Sequence, residues 1–322
     1  MQKNIAENVK ITKLEKSKVE IIGSVKAGDF SSFRKKALEN INNEVTIDGF
    51  RKGKVPENTL VAKVGDMTIL EEMAELAISK TYPEIVINEK LDVIGRPEVH
   101  ITKLALDKPL EFKIVISVVP EIKLGDYKKI AKEESKKEIT TFEVTEKEMA
   151  DAISKMKEAK ADHPYEDDKF KEQLKTFLLA EKKNLEREKR RISISDKLLE
   201  SSTADIPDVL TDSELRRIES QFSDDIQRMG VKIDDYFKHV KKTIEEIRKE
   251  WRPSAEKKAK LQLILNQIAI TEKMKVDQKD IEYEVEHMLE HYKDADKDRA
   301  TIYAETILTN EKVFKFLEGR TE

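Results

Sequence analysis

The 322-residue sequence has no cysteine, which excludes disulfides, thiol nucleophiles and thiolate-bound metals. No stretch of about 18 uninterrupted apolar residues is present, so no segment is expected to span a membrane. Met1-Gln2-Lys3-Asn4-Ile5-Ala6-Glu7 contains no apolar run of signal-peptide length. A soluble, cytoplasmic protein is the expectation. Charge of one sign is also missing: 61 Lys and Arg stand against 65 Asp and Glu, a net charge of −4. No global field recruits polyanions, so contact with one must come from a local basic patch. Neither DNA nor a membrane is an expected partner. Glycine is scarce where it matters most. Of nine glycines, only Gly230 and Gly319 lie beyond Gly125. Glycine supplies the positive φ of tight turns, so turns are expected up to residue 125 and helices after it.

What is present agrees with that division. Charged residues make up 39% and apolar residues 38%, a composition suited to helices that bury one narrow face. Within residues 1–125, Val19–Val25 reads as a strand and Asp29 as the N-cap of a helix bearing Phe30, Phe33, Ala37, Leu38 and Ile41. A second helical stretch starts near Pro56. Thr68 with Glu71 forms a capping box, and Pro83 is expected to kink or break the helix that follows. Gly95-Arg96-Pro97 reads as a turn, and Val99–Leu106 with Phe112–Val119 as a hairpin. This is an α+β domain. Residues 120–145 read as connecting chain. A capping box at Thr145 and Glu148 opens a short helix to about Lys160, and Asp162-His163-Pro164 breaks it, so 126–162 form a linker.

Residues 163–322 read as all helical. A long charged helix carries Phe170, Leu174, Phe177, Leu185, Ile192 and Leu199. Pro207 opens the next element, and Thr211 with Glu214 makes another capping box. Phe237, Val240, Ile244, Ile247 and Trp251 form a narrow packing seam that Pro253 is expected to stop. Leu261–Ile270 is the most apolar helix. Ile281, Val285, Met288, Leu289 and Tyr292 make another stripe, and residues 302–317 are expected to form two short helices.

The most informative stretch is Asp48-Gly49-Phe50-Arg51-Lys52-Gly53-Lys54-Val55-Pro56. Two glycines and a proline shape a turn that presents an aromatic and three cations. An exposed phenylalanine at a loop tip costs solubility and points to binding; cations beside it suit phosphate or an acidic protein surface. The bland alternative is a basic surface turn with Phe50 tucked into its own core. The run is not a phosphate-binding loop of the Gly-x-x-x-x-Gly-Lys-Ser/Thr type. Only three residues separate Gly49 from Gly53, and Val55 replaces the metal-binding hydroxyl.

Two other patterns carry less. His287-Met288-Leu289-Glu290-His291 matches the H-x-x-E-H zinc peptidase pattern. A further acidic ligand normally lies well downstream, however, and Met288 and Leu289 belong to an apolar stripe, so no metal is expected. The Lys182–Arg191 cations are interspersed with Glu181, Glu186 and Glu188, which reads as a solvated helix face. No acid/base pair sits in an evident pocket, so no catalytic residue, cofactor or metal is expected.

Gly49-Phe50-Arg51-Lys52-Gly53-Lys54-Val55-Pro56 resembles the ribosome-binding signature of the trigger factor family, Gly-Phe-Arg-x-Gly-x-x-Pro. Its setting between two helices agrees, as does the later Val118-Val119-Pro120-Glu121-Ile122. Asp205-Ile206-Pro207 with Leu210, the Lys189-Arg190-Arg191 run and the apolar helix over 255–270 resemble the family's helical C-terminal domain. The resemblance spans about residues 10–310. It implies an N-terminal α+β ribosome-binding domain (1–125) followed by an elongated all-α chaperone domain with arms (163–322). It implies docking through Gly49, Phe50, Arg51, Lys52, Gly53, Lys54 and Pro56 on the large ribosomal subunit at the tunnel exit. The contact would be a ribosomal protein, with rRNA as a second surface. It also implies ATP-independent shielding of nascent and unfolded polypeptides; homodimerisation off the ribosome is left open. The sequence departs from the family in one respect. The glycine-rich prolyl isomerase domain cannot fit between Gly125 and Gly230, where no glycine occurs. A deletion near 160–164 and no isomerase activity are expected. A ribosome-associated assembly factor without clients is the alternative.

Overall fold

The computed structural model describes residues 6–136, 143–158, 165, 167–291 and 295–319. They fall into two compact units interleaved along the chain, Met1–Glu121 with Asp205–Glu256 and Ile122–Ala204 with Lys257–Glu322.

The first unit is built on an antiparallel sheet of β1 (Ala6–Leu14), β2 (Lys18–Val25), β3 (Val93–Lys103) and β4 (Leu110–Val118), in the order β1-β2-β4-β3. The period-2 pattern decides its faces. Val19, Ile21, Val25, Leu110, Phe112, Ile114 and Ile116 point into one core, while Lys113 pairs with Glu20 on the other face. The helices α1 (Ala27–Ser31), α2 (Arg34–Glu44), α3 (Glu57–Val64) and α4 (Asp66–Asn88) pack their buried residues into the same core. Residues Asp205–Glu256 complete the unit with α8 (Asp208–Arg228), α9 (Ile233–Val240) and the start of α10 (Ile244–Thr271). There Phe222 meets Trp251 edge-on at 5.1 Å and Tyr236 at 5.2 Å between ring centroids.

In the second unit β5 (Ile122–Lys123) pairs with β6 (Thr203–Ala204). Its helices are α5 (Tyr127–Ser135), α6 (Glu146–Glu158), α7 (Asp168–Ser201), the remainder of α10, α11 (Gln278–His291) and α12 (Lys297–Leu317). One core gathers Ile130, Ile194, Leu198, Ile264, Ile268, Val313 and Leu317. A smaller one joins α11 to α12 through Ile281, Val285, Ala300 and Ala304.

Several local expectations are corrected. β1 is an unforeseen edge strand. Asp29 lies inside α1, and the chain turns at Ser32 and Phe33 before α2. Gly65, not Thr68, precedes α4; the Thr68 hydroxyl bonds back to the Val64 carbonyl. Pro83 and Pro253 sit inside continuous helices. Around Pro83, burial of Met73, Ala77, Thr81 and Ile85 on one face outweighs a single lost backbone bond. Gly95 lies within β3 at a register shift between Ile94 and Glu98, because pairing with β4 continues on both sides. Thr211 is buried within α8, which starts at Asp208. The seam from Phe237 to Trp251 is split between α9 and α10, and the capping box there is Thr243 with Glu246. Residues 302–317 belong to one helix, α12.

Residues 122–135 are not a bare connection. The Gly125 amide donates to the Ser202 hydroxyl at 3.0 Å, and a Cβ on Gly125 would lie 2.6 Å from the Ser201 carbonyl oxygen. Only glycine permits that approach. The Tyr127 hydroxyl donates to Glu272 at 2.6 Å. The Thr145–Glu148 capping box is present and opens α6. The break at Asp162-His163-Pro164, the junction near 160–164 and Tyr292 lie outside the described residues.

Candidate docking loop

Residues 45–56 leave the end of α2 and enter α3. The loop is anchored at both ends by apolar side chains. Val55 is buried, and Val45 and Ile47 pack against the same core. Between these anchors the chain makes two successive four-residue turns. The Phe50 amide donates to the Ile47 carbonyl at 3.1 Å, and the Lys54 amide to the Arg51 carbonyl at 3.0 Å. The third residue of each turn is glycine, Gly49 with φ +86° and Gly53 with φ +78°. A type II turn needs positive φ at that position, so the four-residue spacing of the glycines is the spacing of the turns. Pro56 then precedes α3, where its carbonyl accepts the Leu60 amide at 2.9 Å.

This arrangement pushes the tip outward. Phe50 is 40% exposed, and Arg51, Lys52 and Lys54 are exposed around it. The alternative with Phe50 in its own core is not what the structure has. Among the described residues, none of the three cations makes an ion pair within 4.0 Å. A charged side chain without a partner keeps its field for a ligand. Beside the loop, an open groove has Leu38, Val55 and Leu60 as floor and Arg34 and Lys35 at its edge. Asn42, which sequence reading missed, reaches from α2 into the loop. One asparagine among three in the last turns of α2, Asn40, Asn42 and Asn43, carries no sequence signal for such a contact.

The other candidates resolve differently. The His287 and His291 rings lie tilted at 39° with centroids 4.8 Å apart, and the His291 ring bonds the His287 carbonyl. Among the described residues no group of three or more metal-ligating side chains comes together. The Lys182–Arg191 stretch is solvated at Lys183, Glu186, Glu188 and Lys189, as expected, but Arg190 and Arg191 are half-buried. Arg191 pairs with Glu311 and Glu318, both at 2.8 Å, and Arg190 with the fully buried Glu134 at 3.4 Å. Lys182 instead holds Glu148 of α6. The Arg191 pair keeps the Glu311 carboxyl below its ordinary range. Helices of the second unit also expose large apolar side chains, with Phe177, Leu185 and Ile192 on α7 and Ile302, Tyr303 and Ile307 on α12. No helix among the described residues is long and apolar enough to cross a membrane.

A small α+β domain with an exposed aromatic–cationic loop, followed by helices with exposed apolar side chains, has the surface of a binding protein. Family comparison agrees. Residues 7–156 match the model described as bacterial trigger factor protein, and residues 168–317 match that of the trigger factor C-terminus. The chain belongs to the trigger factor family, and it is a ribosome-associated chaperone. The trigger factor of Carboxydothermus hydrogenoformans is 23% identical over 402 aligned residues, covering 92% of this chain and 94% of that one. The trigger factor of Halothermothrix orenii is 24% identical over 383, covering 87% and 89%. Both alignments are longer than this chain, so a substantial block of each relative has no counterpart here. A solved structure of the trigger factor chaperone, described as recognising substrates promiscuously in folding and assembly, shares the fold. Its TM-score is 0.57 at 18% identity, over 98% of this chain and all of that one. The two family matches leave only residues 157–167 between them, which is no room for an isomerase domain.

Proposed function

We propose that this chain docks on the large ribosomal subunit near the tunnel exit through Phe50, Arg51, Lys52 and Lys54, on turns made by Gly49, Gly53 and Pro56. Once docked, it shields emerging polypeptide without ATP. The observation that carries this reading is the exposed Phe50 ringed by cations without ion-pair partners. An aromatic inserts into an apolar pocket of a ribosomal protein while the cations meet acidic side chains or rRNA phosphate. In functional terms, residues 1–125 dock, 126–162 link and 163–322 hold clients. Client contact falls to apolar side chains such as Phe177, Ile192 and Ile302. Burial of client apolar surface, at about 25 cal/mol per Å² before entropic costs, drives weak and unselective binding. The chain acts in the cytoplasm and catalyses no prolyl isomerisation.

Ribosome co-sedimentation of wild type against Phe50→Ala/Arg51→Ala/Lys52→Ala tests the docking surface. Wild type should pellet with ribosomes and the triple variant should remain in the supernatant. Equal pelleting of the two would remove the loop from the interface.

A further inference from the structure

We propose that Asn42 is a positioning residue for ribosome docking. It holds the loop tip in its binding conformation by clamping Val55. This inference rests on the docking role of the loop.

Asn42 lies in the last turn of α2, thirteen residues before Val55. Its side-chain Oδ1 accepts the Val55 amide at 3.1 Å, and its Nδ2 donates to the Val55 carbonyl at 2.9 Å. Its own backbone carbonyl accepts the Gly53 amide at 2.9 Å. Three hydrogen bonds from one residue therefore close the loop onto the helix. A primary amide suits this task because it carries a donor and an acceptor side by side, matched to a peptide's N–H and C=O. Aspartate offers no donor, and an aliphatic side chain offers neither.

The clamp matters because of where it acts. The backbone bonds within the tip are the two turn bonds, Phe50 to Ile47 and Lys54 to Arg51. Each shapes a turn but does not tie the tip to a helix. The outgoing strand of the loop is tied to α2 at Val55 and Gly53, both through Asn42. A side chain at residue 53 would be strained at its φ of +78° and would bring a Cβ to 2.7 Å from Asn43 Oδ1, so the turn keeps a glycine there. A loop fixed before binding does not lose that conformational freedom on binding. Removal of the amide leaves the tip residues and the Gly53–Asn42 backbone bond intact but loosens the loop at Val55.

The test is ribosome affinity for four full-length chains: wild type, Asn42→Ala, the Phe50/Arg51/Lys52 triple alanine variant, and the combination. Asn42→Ala should weaken binding roughly tenfold, as expected when about two neutral hydrogen bonds no longer preorganise the loop. In the triple-variant background it should cause no further loss, because the residues it positions are gone. Amide exchange at Val55 should rise in Asn42→Ala with the core strands unchanged. If Asn42→Ala melts globally, Asn42→Ser, which lacks the paired donor and acceptor, should show the same affinity loss. Wild-type affinity in a folded Asn42 variant, with the triple variant weakened, overturns the clamp and leaves the docking loop standing. An equal loss in both backgrounds also overturns it, since Asn42 would then act independently of the tip. Unchanged binding by the triple variant removes the docking role and the clamp with it.

Discussion

Lys16 and Asp208 are 192 residues apart in sequence, yet the Lys16 ammonium lies 2.8 Å from the Asp208 carboxylate. Lys16 is in the turn between β1 and β2, and Asp208 is the first residue of α8. The neighbouring Ser17 amide donates to the Asp205 carboxylate at 2.9 Å, and the Ser17 hydroxyl to the Asp205 carbonyl at 2.7 Å. On the other side, Arg252 of α10 bonds Asp208 at 2.6 Å and Asp212 at 3.0 Å. Within the first unit, Asp205 and Asp208 thus hold residues 205–256 to the β1–β2 turn, and Arg252 ties Asp208 and Asp212 to α10.

The Lys16 hydrogen bond, with Arg252 adding, holds the Asp208 carboxyl below its ordinary range. A depressed folded-state pKa stabilises above the unfolded value of about 3.9, and that contribution is lost as pH falls through the folded value. Asp208→Asn should cost about 1 kcal/mol near neutral pH, a modest figure because Lys16 is solvent-accessible. The difference from wild type should vanish in acid and shrink in about 1 M salt. Urea melts of both proteins across pH check this; a gap that persists in acid contradicts it.

Glu148 closes the capping box of α6 and is held by Lys182 of α7. Hydrogen bonding from Lys182 first, then from the Thr145 amide and hydroxyl, lowers its carboxyl to about 2. Side-chain NMR titration should find the Glu148 midpoint well below the ordinary glutamate range. Lys182→Met should raise its midpoint toward the ordinary range, and Thr145→Ala should raise it less. An ordinary midpoint in wild type would mean that α6 is not held on α7 in this way.

The Glu318 side chain is only 1% exposed, and Arg191 neutralises it. Arg191→Met leaves that charge without its nearest partner. Arg187 remains as a second partner at 3.6 Å, so the expected loss is about 2 kcal/mol, that of a charge-assisted bond removed from a buried carboxylate. Adding Glu318→Gln should recover part of it, because a neutral amide is cheaper to bury. Thermal unfolding of the single and double variants decides the point; a double variant no better than the single one argues against it.

The legible parts of the molecule were those governed by local rules. The apolar, partly β-branched run Val19–Val25 and the β-rich segment Phe112–Val119 marked strands that the structure contains, and the Thr145–Glu148 box marked the start of α6. Where tertiary burial competes with a local signal, the local signal lost. Pro83 and Pro253 stayed inside helices. The Thr68 and Thr211 boxes were absorbed into helices that begin earlier. Lys183 and Lys189 are solvated as expected, but nothing in α7 itself reveals that Glu134 of α5 and Glu311 and Glu318 at the end of α12 meet Arg190 and Arg191. The loop itself was visible through its glycines and cations, but the Asn42 contact was not.

By itself, the sequence determined the chemistry available to this protein. It has no thiol, little glycine after Gly125, and one loop that combines aromatic, cation and turn residues. These are properties of composition and spacing, and they survive in any fold. The tertiary structure decided which of those groups meet solvent and which meet each other. It placed Phe50 outward, set Arg190 and Arg191 of α7 against Glu134, Glu311 and Glu318, and set Asp208 between Lys16 and Arg252. Such outcomes depend on contacts between residues far apart in the chain, where packing and desolvation outweigh the preferences of neighbours.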